Sequence, residues 1–119
     1  MRQGDILIAS MQEALTDRAL QQLKDDLAEL VGRTRARAVI LDLTALDVLD
    51  SFATRTLRGI AHTARLRGAR TVVVGIQPEV AFAMVQLGLT LEGVATALDL
   101  EEGLALVSAS APGGARDDR

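Results

Sequence analysis

The stretch "AVILDLTALDVLDSFATRTLRGIAHTARLRGARTVVVGI", residues 38 to 76, holds two short apolar runs on either side of an amphipathic segment. Ala38 to Leu43 and Thr71 to Ile76 are rich in β-branched residues and apolar at successive positions, as strands covered on both faces are. Between them the pattern predicts a helix from about Ser51 to Arg67, closed by Gly68. A strand, helix and strand joined this way form a crossover of ordinary length, which makes the two strands central and parallel.

Upstream, Ile6 to Ala9 reads as a strand, and Thr16 followed by Asp17 as a helix start. Leu20, Leu23, Leu27, Leu30 and Val31 recur three and four residues apart, which predicts a helix from about Asp17 to Val31 that stops at Gly32. Downstream, Pro78 opens a third helix running to about Leu87 and ended by Gly88. Val94 to Ala97 supplies a last short strand, and Asp99 with Glu102 resembles a capping box for a final helix through about Val107. The alternation predicts an α/β fold, with a mostly parallel central sheet of four to five strands flanked by about four helices. One domain is expected over residues 1–108, followed by a disordered Gly/Pro-rich tail over 109–119.

Composition narrows the function classes. A chain of 119 residues is the size of one domain, and 49% hydrophobic residues with only 2% aromatic ones imply an aliphatic core. Cysteine is absent, so disulfides, thiolate chemistry and Cys-ligated metals are excluded, in keeping with a cytoplasmic location. No apolar run approaches the roughly eighteen residues that cross a bilayer, so no membrane partner is expected. The formal charge of -3 argues against wrapping nucleic acid, whose phosphates call for a basic surface.

Within the central crossover one hydroxyl stands out. Ser51 follows Asp47 and Asp50 at the expected helix start. Projected at about 100 degrees per residue, Ala53, Thr56, Leu57, Ile60 and Ala64 face the sheet, while Ser51, Arg55, Arg58, His62 and Arg65 form a basic, solvent-facing stripe. Asp and Ser are both ordinary N-caps, so "DS" on spacing alone is a cap. The same position also suits a phosphate, because the helix N-terminus and Arg55 favour an anion while Asp47 and Asp50 would repel it. A nucleophilic role is disfavoured: the single histidine, His62, lies eleven residues downstream on the same helix, about 16 Å along its axis. Asp42, Asp47 and Asp50 could in principle gather Mg²⁺, but the lone lysine, Lys24, sits on the first helix and no acidic pair ends the first strand, so the receiver pattern is missing. No Gly-rich phosphate loop, zinc spacing or HExxH pattern is present, and no cofactor or metal is expected.

The strand "VILDLT" at 39–44, the loop "ALDVLDS" at 45–51, "VVVGIQPEVAFAMVQLG" at 72–88 and "TALDLEEGL" at 96–104 together resemble STAS-domain anti-sigma-factor antagonists, within them most closely the single-domain scaffold subunits of bacterial stressosomes. The resemblance spans about Asp5 to Val107, and its most specific pieces are "DSF" at Asp50 to Phe52 and "GIQP" at Gly75 to Pro78. It implies a non-enzymatic regulator of the general stress response. Unmodified, it would hold a serine/threonine switch kinase with a GHKL-type fold; phosphorylation of Ser51 would release that kinase. Sensor STAS paralogues and a phosphatase acting on Ser51 would complete the set of partners, in a homo- or hetero-oligomer. The partner-binding surface is then expected to include Asp47, Asp50, Ser51, Phe52, Arg55, Arg58, Gln77 and Pro78, beyond the carboxyl ends of the central strands. Family members usually carry one more strand before Ile6; with only Met1 to Gly4 ahead of it, the sheet is expected to be a strand shorter with an open edge, or the chain to start late. A module of another class, binding a small anion through the Ser51 helix end with Arg55 and Arg58, is the alternative.

Overall fold

The structure, a computed structural model, describes residues 2–11 and 16–109. Along them run β1 (Arg2–Gln3), β2 (Ile6–Ser10), α1 (Asp17–Thr34), β3 (Ala38–Asp42), α2 (Ser51–Leu66), β4 (Arg70–Val74), α3 (Pro78–Gln86), β5 (Ala95–Ala97) and α4 (Leu100–Ala109). The strands lie side by side in chain order, with β2 to β5 parallel and β1 antiparallel to β2. Ile8 stands opposite Ile40, and Ile40 opposite Val72, so the two runs of the central crossover are neighbours in the middle of the sheet, as expected.

Strand alternation sorts the core into two layers. Leu7, Val39, Leu41 and Val73 point to the side where α1 and α2 pack, with Leu20, Leu27, Val31, Leu57, Ile60 and Ala64 against them. Ile6, Ile8, Ala38, Ile40, Val72 and Val74 point the other way, where Leu100, Leu104 and Val107 of α4 cover them. Val39, Ile40, Leu41, Val72, Val73 and Val74 are all fully buried, the reason these strands read as continuous apolar runs.

Two expectations are corrected here. The sheet is not a strand short: Arg2–Gln3 folds back through a turn at Gly4 and pairs with Ile6 and Leu7, and Arg2 Nε donates to the Gly4 carbonyl at 2.8 Å. Two residues carry no hydrophobic period, so nothing in the sequence marks them as a strand. The first helix does not stop at Gly32 either. It runs on to Thr34 and ends in Arg35, whose backbone is left-handed (φ 55, ψ 39). Gly32 is an exposed helical residue beside the Arg67 guanidinium, and its backbone does not end the helix. The tail expected to be disordered falls, from residue 110 on, outside the described residues; Ala109 closes α4.

Caps act where expected at both ends of the chain. Thr16 Oγ1 accepts from the Ala19 N–H at 3.1 Å. Asp99 Oδ1 accepts from the Glu102 N–H at 2.9 Å, while the Glu102 carboxylate reaches back to the Leu98 N–H at 2.7 Å, one residue beyond the usual capping-box donor.

Candidate functional site

The β3–α2 loop is anchored by Leu46 and Leu49, which are buried, and it turns Asp47, Val48, Asp50 and Ser51 outward. At its end Asp50 is the cap of α2. Its backbone is extended (φ -85, ψ -178) and its Oδ1 accepts from the Ala53 N–H at 2.8 Å. The Asp50 carbonyl takes both the N–H and the hydroxyl of Thr54, each at 2.9 Å. Ser51 therefore occupies the first helical position and caps nothing. Its hydroxyl is exposed and makes no hydrogen bond among the described residues. Of the "DS" pair read as a cap, only the aspartate has that role.

The other two hydroxyls of the segment are spoken for. Thr54 is fully buried, and Thr56, also buried, donates to the Phe52 carbonyl at 2.9 Å. Phe52 itself is half-buried against the core. Arg55 stands one turn beyond Ser51, exposed and without an ion pair among the described residues. Arg58 leaves the expected solvent-facing stripe: it is half-buried and reaches Thr90 Oγ1 at 3.3 Å on the α3–β5 connection. A small anion at the helix end would thus meet Arg55 and not the Arg55/Arg58 pair.

The two loops beyond the carboxyl ends of β3 and β4 are tied together. Asp42 Oδ1 accepts from the Thr44 N–H at 2.9 Å and from its hydroxyl at 2.6 Å, an Asx turn that ends β3. Gln77 Nε2 donates to the Thr44 carbonyl at 2.8 Å. Gly75 makes room for this knot: its backbone is left-handed (φ 77), and a Cβ there would collide with the Thr44 hydroxyl. Because its amide is used this way, Gln77 leaves α3 without a side-chain cap, and Pro78 at the first helical position begins it. Thr44 and Gly75 were not among the expected site residues. The Asp-x-Thr spacing directly after a strand was the available signal for the first.

Asp42 and Asp50 are turned onto Thr44 and Ala53, Asp47 stands alone in the loop, and among the described residues no three His, Cys, Asp or Glu gather as a metal would need. Among the described residues the Ser51 hydroxyl has no hydrogen-bond partner that would act on it as a base. Beyond Pro78, α3 turns Phe82 and Val85 to solvent, 65% and 77% exposed, and the loop adds Val48 at 60%. Large apolar side chains left in water suit a protein partner.

Known proteins place this architecture. The STAS domain family profile matches residues 1–103. The RsbT co-antagonist protein RsbRA of Bacillus subtilis is 32% identical over 89 residues, 75% of this chain and 32% of that protein, so the chain spans about a third of this relative's length. Among solved structures, a serine-to-glutamate variant of RsbS from Moorella thermoacetica superposes with a TM-score of 0.79 at 33% identity, covering 92% of this chain and 93% of that one. A chain from the molecular architecture of the stressosome, described as a signal integration and transduction hub, superposes with a TM-score of 0.76 at 31% identity, covering 94% and 97%.

Proposed function

Because the chain belongs to the STAS domain family, we propose that it is a phosphorylation-switched regulator in which Ser51 is the residue written on. Its relatives of stressosome and anti-sigma-factor-antagonist type support a partner-switching role and assembly with other STAS domains. In the proposed cycle the unmodified protein holds a serine/threonine switch kinase of RsbT type through Asp47, Asp50, Ser51, Phe52 and Arg55 together with Gln77 and Pro78. Phosphorylation of Ser51 releases the kinase, and a phosphatase restores the hydroxyl. RsbR-like STAS proteins share the assembly.

One observation carries the reading: the Ser51 hydroxyl is exposed at the first helical position and relieved of capping by Asp50. A phosphate there adds about 1.5 to 2 negative charges. The first-turn N–H groups and Arg55 favour it, while its charge beside Asp47 and Asp50 makes the surface strongly acidic. A partner that presents carboxylates to this face is repelled, and a change of about 1.4 kcal/mol already shifts affinity tenfold.

Phosphopeptide mapping after incubation with ATP and lysate of the producing cells tests the reading, with Ser51→Ala as control. Phosphate confined to Ser51 is expected, with none on Thr54 or Thr56. In a paired binding assay, Ser51→Ala keeps the kinase and Ser51→Asp loses it. Equal loss in both variants would overturn charge as the switch.

A further inference from the structure

Position 77 is the cap position of α3, and the Gln77 side chain does not cap it. Short polar residues are favoured there, because they turn back onto the first free N–H groups of the helix. The Gln77 amide goes elsewhere: its Nε2 donates at 2.8 Å to the carbonyl of Thr44, 33 residues earlier in the chain. A helix start has given up its side-chain cap for a tie to another loop.

Thr44 is aimed at that amide by its own surroundings. Asp42 Oδ1 accepts from both its N–H and its hydroxyl, the Leu43 N–H donates to the Val74 carbonyl at 2.9 Å, and the Leu46 N–H to the Leu43 carbonyl at 3.0 Å. Gly75 is the floor of the arrangement, open to the Thr44 hydroxyl only because it lacks a Cβ. The β3–α2 loop is thus pinned twice, at its start by Gln77 and at its finish by Asp50 on the Ala53 N–H. Residues 45–49 lie between the pins and lead directly into Asp50 and Ser51. Gln77 itself is half-buried, unlike the exposed Ser51 and Arg55.

We propose that Gln77 is a positioning residue for Ser51: its amide ties the start of the β3–α2 loop to α3, so that the loop and the first turn of α2 meet the kinase already in place. Its share in holding the kinase is indirect, through Thr44, and the inference rests on the reading of Ser51 as the residue written on. A surface ordered beforehand loses less freedom on association, so the tie acts on binding and not on the transfer of the phosphoryl group.

Amide hydrogen exchange on the full nitrogen-15-labelled chain needs no kinase and comes first. Gln77→Met keeps the side-chain length and removes the donor. In it the Thr44 and Leu46 amides are expected to exchange about tenfold faster, with the Ala53 amide and those of 20–31 in α1 unchanged. Initial rates of Ser51 phosphorylation by ATP and lysate of the producing cells, followed against concentration of the chain, then separate KM from the maximal rate. Gln77→Met is expected to raise KM about three- to tenfold and to leave the maximal rate unaltered. Thr44→Val loosens the other half of the tie, so the double variant should fall short of the product of the two single effects. Should Gln77→Met fail to fold, Thr44→Val, at an exposed position, is read in the same two assays. Unchanged exchange at Thr44 and Leu46 would overturn the tie, and effects that multiply in the double variant would make Gln77 a direct contact instead. Phosphate on the wild type with an unchanged KM in Gln77→Met overturns the positioning role alone; no phosphate on the wild type overturns the Ser51 reading, and this role with it.

Discussion

At Asp50 and Ser51, adjacent side chains divide two tasks that the sequence left merged. Both residue types cap helices, so "DS" could not say which one did. Geometry decides, because Asp50 takes the extended backbone and the Ala53 N–H, and Ser51 the first helical place. It follows that Asp50→Ala should lower stability by about 1 kcal/mol, whereas Ser51→Ala should change it far less. Urea denaturation of the two variants checks this, and equal losses would contradict the division. Ser51 and Arg55 were legible as exposed from helical period alone. The turn of Arg58 toward Thr90 was not, because it depends on a loop that arrives from 32 residues away in sequence.

The elements show where sequence periodicity suffices and where packing overrides it. β3, α2 and β4 were readable nearly to the residue, since burial on both faces or on one stripe writes itself into the pattern. β1 escaped, being too short for any period, and the end of α1 escaped because Gly32 looked like a stop and is instead an ordinary helical position two residues before Thr34. The true end, Arg35, holds a left-handed conformation that costs a residue with a Cβ about 1 kcal/mol and glycine almost nothing. Arg35→Gly is therefore expected to stabilise the protein by about 0.5 to 1 kcal/mol, read as a higher urea midpoint with an unchanged slope. A lower midpoint would mean that the Arg35 side chain contributes more than its backbone costs.

On the scale of the whole molecule, the sheet is packed unequally. α1 and α2 cover one face, α4 alone covers much of the other, and β1 shields the β2 edge with only two residues. Such a lightly covered sheet, with Phe82, Val85 and Leu98 in water, is suited to neighbours. Mixed with an RsbR-like STAS partner, the protein should elute in a complex far heavier than its own 12.6 kDa by light scattering. Ser51→Asp should leave that mass unchanged while shedding the kinase; dissolution of the complex by this variant would make Ser51 an assembly contact and not a release switch. None of this was visible in composition, which fixes the amount of apolar surface but not the face it ends on.

The cap at Asp50 bears on the lifetime of the protein in the cell. Had the hydroxyl proposed for phosphorylation been the one that holds the helix end, each round of modification would have loosened the fold and marked the molecule for proteolysis. With the fastening on the neighbouring side chain, written and erased copies should be degraded at the same pace. In the proposed cycle, the proportion of the two forms then records only the recent balance of kinase against phosphatase.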